Sequence, residues 1–368
     1  MGCGVISEVY LKNLRSFGIP VAAVADLDAE RAAARAEQFQ VPALTPDELL
    51  AHPDVDLVLN LTVPKAHADI ARQALETGKH VHTEKPLALR TDDAKALVDF
   101  ARARGLRIGA APDTFLGSHL QTARKLLDDG WIGEPIGATA FMMSHGPERW
   151  HPNPDFFYQA GGGPMFDMGP YYLTALVHLM GPVRRVAGTA QTTFSTRVVE
   201  SPNRFGERIP VEIPTHVQAL LEFERGATGV LVTTFDVWHS ELPRIEIYGT
   251  EGTLAVPDPN NFGGTVRVRR RGADAWSPAP ALFGFSENRR GLAVADMALA
   301  IRDGRPHRAS GDLAMHVVEV MEAIHISARE ARHVEIVSRP ARPEPWPIGY
   351  DETALALDLQ GERQRDPS

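Results

Sequence analysis

The chain has a single cysteine, Cys3, in 368 residues. That excludes an internal disulfide framework and fits a reducing compartment, which points to the cytoplasm. No stretch approaches the roughly 18 consecutive apolar residues of a membrane-spanning helix, and no leader with a charged start and an apolar middle is present. Basic side chains are in deficit: 38 Lys and Arg against 47 Asp and Glu give a net charge of −9. Broad attraction to nucleic acid or to an anionic membrane is therefore not expected. The one basic run, Arg267 with Arg269, Arg270 and Arg271, reads as a solvated hairpin. Metal-ligand spacing is missing too, because the fourteen histidines are scattered and Cys3 has no cysteine partner. What remains is a globular composition, 43% hydrophobic and 23% charged, in a chain long enough for two domains.

The first third alternates helix and strand patterns. Residues 5–17, 28–38, 66–76 and 91–104 read as helices; residues 21–25, 55–61, 79–83 and 107–111 read as short apolar strands. Such alternation predicts a parallel sheet with crossover helices, an α/β unit of Rossmann type over residues 1–112. Helices over 118–129 and 165–180 then frame a long loop, and strand-like runs dominate 185–268. Alternation at 219–224, 229–235 and 244–248 predicts an α+β unit over residues 113–338 with a large, mostly antiparallel open sheet. A helix over 311–331 closes it. Residues 339–368, rich in Pro and Arg, are expected to be a surface wrap or partly disordered. There is no internal repeat.

Two segments carry most of the chemistry. Thr83-Glu84-Lys85-Pro86 ends a short apolar run and so puts an ammonium at the carboxyl edge of a strand, where open α/β sheets bind ligands. Gly161-Gly162-Gly163-Pro164-Met165-Phe166-Asp167-Met168-Gly169-Pro170-Tyr171 opens a helix on a glycine turn, with Pro164 suited to its first turn. Asp167 and Tyr171, four residues apart, face the same way. The three glycines read as a close backbone approach to ligand, or else as a flexible turn.

At the amino terminus, Gly2-Cys3-Gly4-Val5-Ile6-Ser7 reads as a G-x-G-x-x-G turn with serine at the third glycine position. The first glycine permits the tight turn, the second lets backbone approach a pyrophosphate, and the helix amino terminus supplies N–H donors. Asp26 ends the next strand, where a carboxylate can accept hydrogen bonds from ribose hydroxyls and repel an added phosphate, favouring NAD over NADP. A turn or helix-capping carboxylate is the competing role. A buried strand should precede this turn, yet only Met1 does. The expected first, central strand is thus missing from the chain, and the expectation is that the recorded start is late.

These segments resemble the glucose-fructose oxidoreductase and inositol dehydrogenase family, Gfo/Idh/MocA. The likeness runs from Gly2 to about residue 335. It takes in Ala25-Asp26, Thr62-Val63-Pro64-Lys65-Ala66-His67, Gly78-Lys79-His80-Val81, Glu84-Lys85-Pro86, Tyr248-Gly249-Thr250-Glu251-Gly252, and Glu322-Ala323-Ile324 before Ser327-Ala328-Arg329-Glu330. The resemblance implies an NAD(P)-dependent enzyme moving hydride between nicotinamide and a secondary hydroxyl or ketone of a sugar, glycoside, polyol or related cyclic alcohol. Cofactor contacts are then expected from Gly2, Cys3, Gly4, Val5, Ile6, Asp26, Thr62, Pro64, His67, Glu84 and Lys85, and the Lys85-Pro86 bond is expected to be cis.

Many family members carry histidine where this chain has Tyr171. The resemblance implies a Lys85–Tyr171 proton-transfer pair, with the lysine lowering the phenol's pKa and Asp167 binding a substrate hydroxyl or orienting its neighbours. Without it, Tyr171, Tyr172 and His178 read as packed helix residues. In the loop His145 to Tyr158, Trp150 and His151 are the candidate sugar contacts; a proline-stiffened surface loop is the alternative. Two other functions stay open: glycoside cleavage with an internally recycled NAD, and a redox-silent sensor or repressor. The carboxyl-terminal sheet's open face, expected to be rich in Val, Ile and Phe, predicts a homo-dimer or homo-tetramer.

Overall fold

The computed structural model describes residues 1–361; the last part of the tail, 362–368, lies outside the described residues. The amino-terminal unit runs α1 (Ser7–Phe17), β1 (Val24–Ala25), α2 (Ala29–Phe39), β2 (Ala43–Leu44), α3 (Pro46–Ala51), β3 (Leu57–Asn60), α4 (His67–Glu76), β4 (His80–Thr83), α5 (Thr91–Ala103) and β5 (Ile108–Ala110). Local signals set its boundaries. Gly18, at φ 79°, stops α1. Asp28 caps α2 by accepting from the Glu30 and Arg31 N–H groups, and Thr45 forms a capping box with Glu48 on α3.

β3, β4 and β5 pair in parallel, as do β1 and β2. Among the described residues, the backbone hydrogen bonds that join the two groups come from Met1 and Gly2. The Met1 amino group donates to the Leu59 carbonyl at 2.8 Å. Leu61 N–H donates to Met1 O, and Gly2 N–H to Ala25 O, both at 2.8 Å. Met1 therefore occupies the final rung of a central strand position. Behind it lies a slot of about 340 Å³ lined by Leu11, Leu14, residues 21–24, residues 55–59 and Val294. This explains why β1 covers only 24–25 of the expected 21–25: earlier residues have no strand beside them. It also separates a small cluster of Cys3, Leu11, Val24, Ala32, Ala36 and Phe39 from the main core.

The second unit contains α6 (Ser118–Asp128), β6 (Pro135–Met143), α7 (Gly163–Met180), β7 (Val183–Gln191), β8 (Thr196–Val198), β9 (Arg208–Pro210), β10 (His216–Phe223), β11 (Thr228–Thr234), β12 (Ile245–Gly249) and β13 (Gly252–Val256). There follow β14 (Arg267–Arg270), β15 (Ser277–Pro278), α8 (Leu292–Asp303), α9 (Gly311–Glu330), β16 (Val334–Glu335) and α10 (Glu352–Gln360). Nine strands form one sheet in the order β15-β14-β13-β12-β6-β11-β10-β7-β16. Every pair is antiparallel except β6 with β11. β6, within the stretch expected to be loop, lies in the middle of this sheet.

The sheet's open face differs from expectation. Most of the sheet's Val, Ile and Phe, including Val217, Phe223, Ile245 and Ile247, are buried on the covered face. The open face instead carries Thr139, Gln218, Glu222, Glu246 and Arg267 around a short apolar lane of Ala187, Leu220, Val230 and Phe141. Period-2 alternation sends the large aliphatics inward, so the outer face is mixed rather than greasy. Of the two forms expected of the tail, its described part takes the surface wrap. Trp346 and Tyr350 are buried and stacked with ring centroids 4.6 Å apart, and the Trp346 indole donates to Leu116 O at 3.0 Å. Residues 339–361 are thus part of the packed body. Finally, α9 packs on both α5 and β7, and one contiguous core spans both units.

The slot generates a prediction. Burial lowers the pKa of the Met1 ammonium below its ordinary 8.0, with Cys3 and Asp26 opposing. The unfolded chain then binds more protons than the folded one, so stability rises as pH climbs from the lowered value to about 8. A Val- and Ile-rich strand of about five residues placed ahead of Met1 converts that amine to an amide and fills the slot. It is expected to raise Tm by about 5 °C or more and to abolish the pH dependence from this group. Calorimetry of both chains between about pH 6 and 8.5 measures this; identical curves would show the slot to be inert.

Candidate functional site

The glycine turn has the geometry its sequence suggests. Gly2 adopts φ 89°, and a Cβ there would lie 2.6 Å from the Leu61 carbonyl, so no other residue fits without strain. A Cβ on Gly4 would meet nothing, which leaves space above the turn. α1 has no side-chain cap, and its first turn offers N–H groups and a dipole to an anion. Ser7, in the third glycine position, is buried with its hydroxyl donating to Gly4 O at 2.6 Å.

Asp26 accepts from Cys3 N–H at 2.7 Å through Oδ2 and from Asp28 N–H at 2.9 Å through Oδ1. The turn role is therefore real, and each oxygen keeps a second lone pair for a ribose hydroxyl. Val5, Leu27 and Val63 are 89%, 95% and 65% exposed. Such exposed aliphatics follow the glycine turn, β1 and β3 along one sheet edge, an apolar rim suited to a cofactor's rings. Leu27 and Val63 were not singled out from sequence, where isolated aliphatics beside a turn carry no signal. These features fit a dinucleotide.

His67 has a different place from the one expected. It is buried, with Nδ1 2.7 Å from Pro86 O and Nε2 3.0 Å from Thr62 O. Burial lowers its pKa. The ring ties the loop holding Thr62 and Pro64 to the turn after Lys85 from beneath, rather than facing the groove. Asn60 reinforces that loop, donating to His67 O at 3.1 Å and accepting from the Thr62 hydroxyl at 2.7 Å.

Glu84 is buried at the end of β4. Its Oε1 accepts from the Tyr10 hydroxyl at 2.5 Å and its Oε2 from Lys85 N–H at 3.1 Å. The Lys85-Pro86 bond is cis. Lys85 Nζ crosses to the second unit and donates to both Asp167 O and Asp167 Oδ1 at 2.8 Å. It also lies 5.3 Å from the ring centre of Tyr171, one turn further along α7. Burial alone would lower the lysine's pKa, but Asp167, Tyr171 and Glu84 outweigh it and raise it. The Tyr171 phenol also moves up, because burial exceeds the opposing pull of Lys85 and Arg290. Lys85 thus restrains the rise without bringing the phenol below its ordinary value, a correction to the simple activation expected. Arg290, whose charge opposes the rise of the Tyr171 phenol, was missed because it comes from a segment far along the chain with no local motif.

The loop before α7 brings Trp150 and His151 toward this group. Trp150 is 68% exposed. His151 accepts from Asn153 N–H at Nδ1, 3.1 Å away, so its neutral ring carries the proton on Nε2. Burial lowers its pKa, with nearby Asp167 opposing. A buried charge cluster pins the loop: Arg197 donates to Glu148 Oε1 at 2.6 Å and to Asp236 Oδ1 at 2.9 Å, and Tyr158 donates to Glu148 Oε2. The three glycines have a packing cause. A Cβ on Gly162 would lie 2.4 Å from Phe156 O, and one on Gly161 would lie 2.8 Å from Leu89. They let the loop press on its own helix start, and all three also line a cavity of about 230 Å³ with Leu89, Phe166, Ile213 and His325.

A glycine-led helix terminus on one unit and a lysine, carboxylate and phenol at its border with the next belong to the nicotinamide-dependent oxidoreductases as a class. Comparison with known proteins agrees. Residues 1–111 match the oxidoreductase family, NAD-binding Rossmann fold, and residues 120–255 match the GFO/IDH/MocA C-terminal domain. The dTDP-3,4-didehydro-2,6-dideoxy-alpha-D-glucose 3-reductase of Streptomyces violaceoruber is 30% identical over 327 residues, 85% of this chain and 87% of its own. D-apiose dehydrogenase of Paraburkholderia graminis is 25% identical over 93% of this chain and 90% of its own. In fold, an NAD binding oxidoreductase from Klebsiella pneumoniae superposes with TM-score 0.80 at 24% identity, covering 91% of this chain and 97% of that one. Levoglucosan dehydrogenase in complex with NADH and L-sorbose gives TM-score 0.77 at 21% identity, over 92% and 97%. The chain belongs to the Gfo/Idh/MocA family and is an NAD-binding oxidoreductase.

Arg197→Met leaves two buried carboxylates without their cation and is expected to cost about 3–5 kcal/mol, read as a lower urea midpoint. Asp26→Ser is expected to weaken NAD binding about tenfold while narrowing the preference against NADP, measured by fluorescence titration of both cofactors.

Proposed function

We propose that the protein interconverts a secondary alcohol and a ketone on a sugar, glycoside, polyol or related cyclic alcohol, using NAD in preference to NADP. The observation that carries this reading is the Lys85–Asp167 pair at 2.8 Å with Tyr171 one helical turn beyond. The relatives named above that reduce or oxidise sugars support the substrate class. Gly2, Gly4, Asp26 and the first turn of α1 would hold the dinucleotide, with Thr62 and Pro64 beside its nicotinamide end. When bound, the nicotinamide accepts or supplies the hydride.

The chain's own groups manage the proton. Tyr171 is a neutral phenol near neutral pH, so in ketone reduction it donates its proton to the carbonyl oxygen. Lys85 keeps its charge and stabilises the negative oxygen that forms. Asp167 holds the ammonium in place and offers its remaining oxygen to a neighbouring hydroxyl. Trp150 supplies an apolar face and His151 Nε2–H a donor at the substrate's rim. In alcohol oxidation the proton passes to Tyr171 as phenolate, a form favoured only at high pH. Oxidation should therefore accelerate as pH rises through the raised phenol value, and reduction should slow over the same range. The chain would work in the cytoplasm as a dimer or tetramer, with the lane around Leu220, 57% exposed, as the contact between sheets.

Absorbance of reduced nicotinamide, with a panel of sugars, glycosides and inositols, tests the reaction. Tyr171→Phe is expected to lower turnover by about 10²–10⁴-fold with the NAD dissociation constant changed by less than about threefold. Lys85→Ala is expected to abolish detectable turnover. Full activity of Tyr171→Phe would overturn the assignment, and free sugar released without net NADH would replace it with glycoside cleavage by internal redox cycling.

A further inference from the structure

We propose that Tyr10 is a positioning residue for Lys85, acting through the Glu84 carboxylate to hold the lysine in register with the glycine turn. This rests on the reading of Lys85 as the cation that meets the reacting oxygen.

The case begins with a hydroxyl that packing does not explain. Tyr10 lies in α1, is 0% exposed and fills core space that phenylalanine would fill as well. Its hydroxyl donates to Glu84 Oε1 at 2.5 Å, across 74 positions of sequence. Burial raises its pKa well above the ordinary 10.0, and Glu84 and Asp113 add to the rise. Tyr10 therefore keeps its proton near neutral pH and serves as a donor, not as an acid or base. Glu84 is itself buried. Among the described residues, no Lys or Arg side chain forms an ion pair with it within 4.0 Å. A buried carboxylate without a cation depends on hydrogen bonds. This one accepts from the Tyr10 hydroxyl on Oε1 and from Lys85 N–H on Oε2, the latter at 3.1 Å.

Residue 85 stands where the strand ladder stops. The last pairings of β4 are Thr83 with Asn60 on β3 and with Ala110 on β5. Glu84 N–H still reaches Asn60 O at 2.8 Å; at the next residue the Glu84 side chain takes over as the acceptor for Lys85 N–H. His67 Nδ1, 2.7 Å from Pro86 O, closes the other side. From this bracket the lysine extends to Asp167 O and Oδ1, both at 2.8 Å. Tyr10 anchors the bracket to α1. It sits three residues from Ser7 at the head of that helix, about 4.5 Å along the axis. α1 is fixed in turn. Asn13 donates to Asn288 O at 3.0 Å and to Arg290 O at 2.9 Å, and a Cβ on Gly291 would lie 3.5 Å from the Tyr10 ring. One helix thus offers N–H groups to an anion at its first turn and sets the lysine's backbone one turn later. Cofactor and reacting oxygen are placed by these two contacts, so an error in their spacing reaches the hydride transfer directly.

Kinetics and a direct view of the lysine test this. Tyr10→Phe keeps the ring and removes the hydroxyl. It is expected to lower kcat about tenfold, while KM and the NAD dissociation constant change by less than about threefold. Glu84→Gln should lower kcat as well, and the double variant should lose no more than Glu84→Gln alone, because Tyr10 acts through Glu84. The second measurement needs neither turnover nor cofactor. In the full chain labelled with [¹⁵Nζ]lysine, the Lys85 and Lys79 ammonium signals are those missing from Lys85→Ala and Lys79→Arg. Lys79 is the control at the opposite end of β4, buried and donating to His52 O at 2.8 Å and Val55 O at 2.7 Å. Tyr10→Phe is expected to speed hydrogen exchange at Lys85 severalfold and to leave Lys79 unchanged. An unmoved Lys85 signal overturns the proposal. So does equal acceleration at both lysines, which marks a general loosening, or a double variant in which the two losses of kcat multiply. Faster exchange at Lys85 alone, in protein that transfers no hydride to or from any sugar, leaves the placement by Tyr10 standing and rejects the reaction instead.

Discussion

The Lys85–Asp167 ion pair is the contact on which the rest of the site depends. It joins the end of a parallel strand in one unit to the first turns of a helix in the other, with both side chains largely shielded. A buried ammonium is costly unless a carboxylate stands beside it, so each group needs the other's unit in place. Glu84 is held by Tyr10, and His67 braces the turn through Pro86. On the far side, glycines without side chains let α7 begin against Phe156 and Phe157. The geometry of Lys85, Asp167 and Tyr171 thus rests on packing that none of them performs.

What was legible in sequence follows from period and punctuation. The amino-terminal helices and strands other than β2 and α3, for which no expectation was made, fall within a few residues of their expected places because of clear signals such as Gly18 or the Asp28 cap. Lys85, Asp167 and Tyr171 were found because each lies in a short motif, and the structure brings those three together. β6 was hidden since its inward positions are Ala138, Ala140 and Met142, too small or too flexible to announce a buried strand. α8 was missed because Leu292–Asp303 is apolar over most of its length, with little periodic contrast. Arg197, Glu148 and Asp236 come from three distant segments, and their joint burial is a property of tertiary structure alone. The glycine run was expected to allow a close approach, and the neighbours it admits include the backbone of Phe156 and Phe157 and the side chains of Leu89 and Ile213.

The central gap shows how one position propagates. Among the described residues, the Met1–Gly2 rung supplies the backbone hydrogen bonds that link β1 to β3, and the apolar residues beyond it form their own cluster. Stability in this region is therefore local rather than shared, and α2 with β1 should open at lower cost than the sheet around β4. The carboxylate of Asp26, which closes the turn, lies on that weaker side.

The strut formed by α9 has a different consequence. It packs on α5 and β7 together, Ser310 bridges to Gly109, and a Cβ on Gly311 would already press within 2.7 Å of Ile108. Two-domain enzymes often admit and release ligands by swinging apart at a hinge. Here such a swing would tear a continuous hydrophobic seam, so the two halves behave as one casting. Entry and exit of the dinucleotide would then fall to the loops at the sheet edge rather than to any parting of the two units.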